Sequence, residues 1–338
     1  MQRFFLFSFF SSLLLLAGAC KNDKNPAAAT DPAAQQNPEL AQLNQLLAQN
    51  PKDDSLLYRR AAVYYQLEGY DEALKDLAAA INLDSLHPQY YNLLADVLLD
   101  YGRPNDSKRA IDVLQTAARL FPDRLPILLK LAEIQLIVRQ HGDAMASLDK
   151  VFRRDPQNAD GYFVAGRIAL DMGDTARAIT ALQKSVQFDA DNADAWRFLG
   201  RIFTERNNPL AIQYFDNALR IDSTDWQSRE FKAAFYKRRG EFDKAFEGYR
   251  DLIVHNPDYS NAYFDMGMIY LELDSIPKAY DHFNLAIKTD PLFVKAYYYR
   301  GHASELMGNK EAALADYRQA NKMSPNYEEP KEALERLK

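Results

Sequence analysis

Cysteine occurs once in the 338 residues, as Cys20. A single thiol excludes any intrachain disulfide and any cysteine-built zinc site. An excess of basic charge is also missing, since 41 Lys and Arg stand against 47 Asp and Glu for a net charge of −6. Without a broad positive field the chain has no electrostatic footprint for nucleic acid. Glycine-rich phosphate loops, GxSxG elbows, HExxH pairs and EF-hand spacings do not occur, and the five histidines, His87, His141, His255, His282 and His302, fall in different stretches with no metal-ligand spacing. Paired carboxylates such as Asp53 with Asp54 and Glu328 with Glu329 stand at helix starts, where negative charge complements the helix dipole. These absences predict a protein that is not an enzyme and that uses no cofactor and no metal. At 47% hydrophobic and 26% charged the composition is still globular, which excludes a wholly disordered chain.

The chain opens on an apolar run. Phe4 to Ala19, FFLFSFFSSLLLLAGA, is 16 residues without charge, follows Arg3, and ends in Ala17, Gly18 and Ala19 directly before Cys20. A membrane-spanning helix needs about 20 apolar residues to cross about 30 Å of hydrocarbon. A basic start, a shorter apolar run and small residues at its end are instead the parts of a signal peptide, assigned to residues 1–19. The end of the run resembles the bacterial lipobox, with Ala17 where that pattern favours leucine. The resemblance implies a lipid on Cys20 as the mature N-terminus and, with Lys21 rather than Asp next, an outer-membrane lipoprotein of the bacterial cell envelope. Residues 21–38, KNDKNPAAATDPAAQQNP, carry three prolines and no large apolar side chain. Residues 20–38 are therefore expected to be a lipidated cysteine and a flexible tether with a root-mean-square reach of roughly 24 Å.

From residue 54 the sequence repeats itself. Units start at Asp54, His87, Leu125, Ala159, Ala193, Trp226, Ser260 and Val294, with successive spacings of 33, 38, 34, 34, 33, 34 and 34. Such a period marks stacked supersecondary units, and two stretches of helical apolar periodicity per unit predict a helical solenoid. Position 20 is alanine in all eight units: Ala73, Ala110, Ala144, Ala178, Ala211, Ala245, Ala279 and Ala313. Position 8 is small in seven, with Leu94 the exception. Four residues after each alanine comes a large apolar group, Leu77, Leu114, Leu148, Leu182, Phe215, Tyr249, Phe283 or Tyr317. Small residues where helix axes approach to about 8–10 Å, with a knob beside them, are what close helix crossing requires. The second unit carries four extra residues around 102–107 and the fifth lacks one at Asn207-Asn208-Pro209. Residues 39–53 and 328–338 are expected to be capping helices, because an open solenoid end exposes apolar surface.

The fifth unit, with Trp196, Leu199, Gly200, Phe203, Ala211, Phe215 and Ala218, resembles the tetratricopeptide repeat (TPR), W-x2-L-G-x2-Y followed by A-x3-F-x2-A. The resemblance covers 54–327. It implies an all-α, right-handed superhelical solenoid of eight helix-turn-helix repeats between capping helices, with a concave groove lined by the first helices. It also implies that positions 2, 5, 9, 12 and 13 face the groove. Those positions hold Tyr58, Tyr65 and Tyr91 early, Phe163 between, Phe264 and Tyr298 late, and a charged middle with Arg167, Arg197, Arg201, Glu230, Lys237 and Arg238. Asp171 and Glu205, four residues after Arg167 and Arg201, are placed to neutralise them, whereas Arg197 has no following acid. No unit combines lysine at position 5 with asparagine at position 9, so the chaperone-tail clamp is not expected. The implied function is a non-catalytic scaffold or adaptor, tethered to the envelope membrane, that binds other envelope proteins or peptide segments. A second reading is a lipoprotein receptor that stacks a glycan or small ligand on the pairs Tyr58/Tyr91 and Phe264/Tyr298.

Overall fold

The computed structural model describes residues 37–337; the expected signal peptide, Cys20 and the expected tether through residue 36 lie outside the described residues. Eighteen helices follow one another, with no strand among the described residues: α1 (Pro38–Gln49), α2 (Asp54–Gln66), α3 (Tyr70–Leu83), α4 (Pro88–Tyr101), α5 (Asp106–Leu120), α6 (Leu125–Ile137), α7 (His141–Arg154), α8 (Ala159–Asp171), α9 (Thr175–Phe188), α10 (Ala193–Glu205), α11 (Leu210–Ile221), α12 (Trp226–Arg238), α13 (Phe242–His255), α14 (Ser260–Glu272), α15 (Ile276–Thr289), α16 (Val294–Leu306), α17 (Lys310–Met323) and α18 (Glu328–Arg336). Among the described residues no helix is long and apolar enough to cross a membrane. The chain divides into two compact bodies between Val113 and Leu114, inside α5.

The pairs α2/α3 to α16/α17 are the eight repeats. Seven first helices begin at the residue expected from the sequence, and the second begins one residue later, at Pro88, with His87 as its N-cap. Counted from Pro88, position 8 of that repeat is the fully buried Ala95 instead of the partly buried Leu94, so the small-residue rule holds in all eight repeats. The same shift reduces the extra residues of the second repeat from four to three. Proline favours the first helical position because its missing N–H has no partner to lose there, and it sets the start.

A second regularity fixes each turn. Position 15 has a left-handed backbone in every repeat: Glu68, Gly102, Arg139, Gly173, Asn207, Gly240, Asp274 and Gly308, with φ between 51° and 80°. Only four of these are glycine, the residue without a Cβ penalty in that region, so the helical hairpin imposes the conformation on the other four.

The eight position-20 alanines are all fully buried, as are the eight large groups four residues later. The large group fills the space over position 8. A Cβ added at Gly166 would lie 2.7 Å from Leu182, at Gly200 2.5 Å from Phe215, at Gly267 2.6 Å from Phe283 and at Gly301 3.0 Å from Tyr317. In the sixth repeat Ala233 is retained beneath Tyr249, and the second helix makes room through Gly248, whose added Cβ would meet Ala233 at 2.9 Å. At four junctions between repeats a common pin recurs, in which the position-4 side chain donates to the carbonyl six residues earlier. Tyr91 bonds Ser85 at 3.2 Å, Tyr162 bonds Pro156 at 3.2 Å, Trp196 bonds Ala190 at 2.9 Å and Arg229 bonds Ser223 at 2.5 Å.

Candidate functional site

In the N-terminal body the three expected groove tyrosines have separate fates. Tyr58 is half-buried with its ring 5.0 Å from Tyr90, whose hydroxyl donates to Asp54 at 2.6 Å. Tyr65 on α2 donates its hydroxyl to Asp100 on α4, and burial together with that carboxylate raises its pKa. Tyr91 is 5% exposed. Its expected place at position 5 followed from counting the repeat from His87; at position 4 it is a pin in the core and not a groove residue. The turn before α4 also brings together Asp54, Asp84 and His87, whose ligand atoms lie within 4.8 Å of one another, a set that could hold a cation and that sequence spacing did not disclose. His87 Nε2 stands 3.1 Å from Asp84 and 3.7 Å from Asp54, so contacts within the set already engage all three.

At the far end of the C-terminal body the expected aromatics are packed. The Phe264 ring lies 5.0–5.5 Å from Phe293, Phe283 and Tyr299, and Tyr298 packs on Tyr299, Tyr317 and Tyr327 beside α18. Neither expected sugar-stacking pair therefore presents two open rings. Glu230 on α12 faces Tyr259; burial raises its carboxyl pKa, opposed by the hydrogen bond from Tyr259. Lys237 is paired with Asp265 at 2.5 Å, and Arg238 donates to the Thr204 carbonyl at 3.2 Å.

The central arginines reverse the expectation. Arg197 is the one that finds acids: Asp194 in its own helix, and the buried N-cap Asp225 of α12 at 2.8 Å. Asp171 turns away from Arg167 to His141, at 2.6 Å, and among the described residues neither Arg167 nor Arg201 has a carboxylate within ion-pair distance. Glu133, at position 9 of the third repeat, feels the charge of Arg167, which lowers its pKa against the larger raising effect of burial. The two guanidiniums lie instead over rings. Arg167 is 5.6 Å from the Phe163 centroid, and Arg201 is 5.5 Å from Phe198 and 5.3 Å from Phe231. Phe163 and Phe198 meet edge to face at 5.7 Å. The result is a continuous strip across α8, α10 and α12 in the order Arg167, Phe163, Phe198, Arg201, Phe231. Phe198 and Phe231, at position 6, were outside the expected set, although the recurrence of phenylalanine at one position in adjacent repeats was a visible signal.

Models of the tetratricopeptide repeat match residues 58–122, 163–225 and 294–327. Over these residues the chain carries tetratricopeptide repeats. Among curated proteins, the Hsp70-Hsp90 organizing protein 2 of Arabidopsis thaliana is 21% identical over 245 residues, 69% of this chain and 42% of that protein. The Hsp70-Hsp90 organizing protein 1 of Glycine max is 23% identical over 250 residues, 69% of this chain and 42% of that protein. The chain thus spans about two-fifths of the length of these relatives. Among solved structures, the type IV pilus biogenesis factor PilW is 20% identical with a TM-score of 0.54, covering 63% of this chain and 99% of that one. A tetratricopeptide repeat protein from Parabacteroides merdae ATCC 43184 is 21% identical with a TM-score of 0.52, covering 74% of this chain and 99% of that one. At these identities the likeness is one of fold.

Proposed function

We propose that the protein is a non-catalytic adaptor that holds partner proteins or peptide segments on the first helices of its TPR repeats, anchored through lipid on Cys20 to the outer membrane of the bacterial cell envelope. The observation that carries the binding part is the strip on α8, α10 and α12, where two arginines with no carboxylate in ion-pair distance among the described residues lie over phenylalanine rings. Arginine and aromatic groups dominate binding hot spots because they offer forked donors and large rigid area. The curated relatives are named for organizing two other proteins, which agrees with this reading. The anchor rests on the apolar run and the single cysteine at its end. Lipid on that cysteine, with a second acyl chain, would give stable membrane residence. The adaptor reading is tested by immobilising the mature chain and passing detergent-solubilised envelope extract over it. Specific retention of a protein, reproduced with purified components, supports it; no retention above a bare matrix overturns it. Cys20→Ser should move the protein from the membrane to the soluble fraction and abolish incorporation of labelled palmitate, and unchanged fractionation would overturn the anchor.

A further inference from the structure

Arg167 lies against one ring and Arg201 against two, and among the described residues neither guanidinium is spent on a carboxylate within ion-pair distance. Arg201 is exposed and Arg167 half-buried. A guanidinium set against a ring and not spent on a carboxylate is the arrangement that receives one in bidentate fashion. The two arginines hold the same position, 9, in consecutive repeats, so the spacing of stacked helices sets their backbones roughly 10 Å apart. Glu133 occupies that position one repeat earlier and gives the strip an acidic edge beyond Arg167. Between the guanidiniums the floor is the edge-to-face pair Phe163 and Phe198, which is apolar and offers no charge.

A ligand that fits must present two carboxylates about 10 Å apart with apolar groups between them. In an extended strand, side chains on one face recur every two residues, about 6.7 Å, or every four, about 13 Å. In a polyproline II segment they recur every three residues, about 9.3 Å. We propose that the strip binds a segment of a partner protein in polyproline II form, with acidic side chains at i and i+3 held by Arg167 and Arg201 and prolines or other apolar residues packed on Phe163 and Phe198. The proposal rests on the adaptor reading and names the chemistry of its partner.

The test uses the full mature chain and fluorescein-labelled synthetic peptides followed by anisotropy. The probe has the core Glu-Pro-Pro-Glu; its controls are Gln-Pro-Pro-Gln, an acidic peptide with adjacent glutamates, and a helical peptide with glutamates at i and i+7. The probe should bind at least tenfold more tightly than each control, and the advantage should shrink as salt rises. Arg167→Ala with Arg201→Ala should weaken it at least tenfold at an unchanged melting temperature. Arg201→Lys, which keeps charge but loses the fork, should recover only part of the loss. Equal binding of the glutamine or helical control, no binding of the probe, or indifference to the double substitution would overturn the proposal. A peptide of residues 21–38 serves as competitor; displacement of the probe would assign the strip to the chain's own tether and overturn the partner reading. If envelope proteins are retained equally by the double variant, the adaptor reading stands and this strip is not its site.

Discussion

The first and eighth repeats use arginine in one way and the fourth and fifth in another. In the end repeats the arginine is at position 7. Arg60 grips Asp76 through Nε and Nη2 at 2.6 and 2.8 Å and reaches Asn44 at 2.7 Å, and Arg300 grips Asp316 at 2.8 and 2.6 Å and reaches Asn284 at 2.7 Å. The carboxylates are nearly buried, at 3% and 8% exposed, so both forks are consumed inside the fold. In the fourth and fifth repeats the arginine is at position 9, two residues further round the helix. There it finds a ring and, among the described residues, no carboxylate within ion-pair distance. A shift of two positions on a helix therefore separates an arginine that holds the structure together from one free to hold something else.

The comparison is broken most strongly by taking away an end-repeat carboxylate. Asp316→Ala leaves a guanidinium 18% exposed with only an amide partner, and should cost about 3 kcal/mol, since stranding one member of a largely buried pair is expensive. Arg300→Met with Asp316→Leu should regain most of it; urea unfolding of the single and double variants decides. A smaller effect is expected from filling the fifth repeat's crossing. Gly200→Ala drives a methyl into the Phe215 ring and should cost about 1–3 kcal/mol, while Gly142→Ala, which meets nothing within 4 Å in α7, should be neutral or slightly stabilising. Equal midpoints for these two variants would mean that Phe215 can swing aside. The smallest effect sharpens the contrast from the other side. Arg201→Ala should change stability by less than about 1 kcal/mol, the size of an exposed cation–π contact, and a loss as large as that of Asp316→Ala would show that the arginine is structural.

Much of the solenoid was legible because its requirements are local and repeated: alanine at position 20, a small residue at position 8, a knob four residues after the alanine. The one slip, a residue at His87, carried its own signal, since Leu94 broke the rule that Ala95 satisfies. The binding surface was less legible. Arg197 pairs with Asp225, 28 residues away, and Arg60 and Arg300 reach asparagines 16 residues back, so which charges are spent depends on contacts between helices that i,i+4 reasoning does not include. Phe264 and Tyr298 stood at positions expected to face a groove, yet neighbouring rings cover them.

The pins between repeats have a mechanical consequence. Where a position-4 side chain holds the carbonyl six residues before it, the junction is stiffened by a bond that belongs to that junction alone, and solenoid repeats contact chiefly their neighbours. Load applied to the two ends of the chain is then met in series. The molecule should yield under tension in steps, each releasing one repeat or a few, with a contour gain near 120 Å per 34-residue repeat at about 3.5 Å per residue. A chain acting as the proposed link between membrane and partner would in this way lengthen before it lets go.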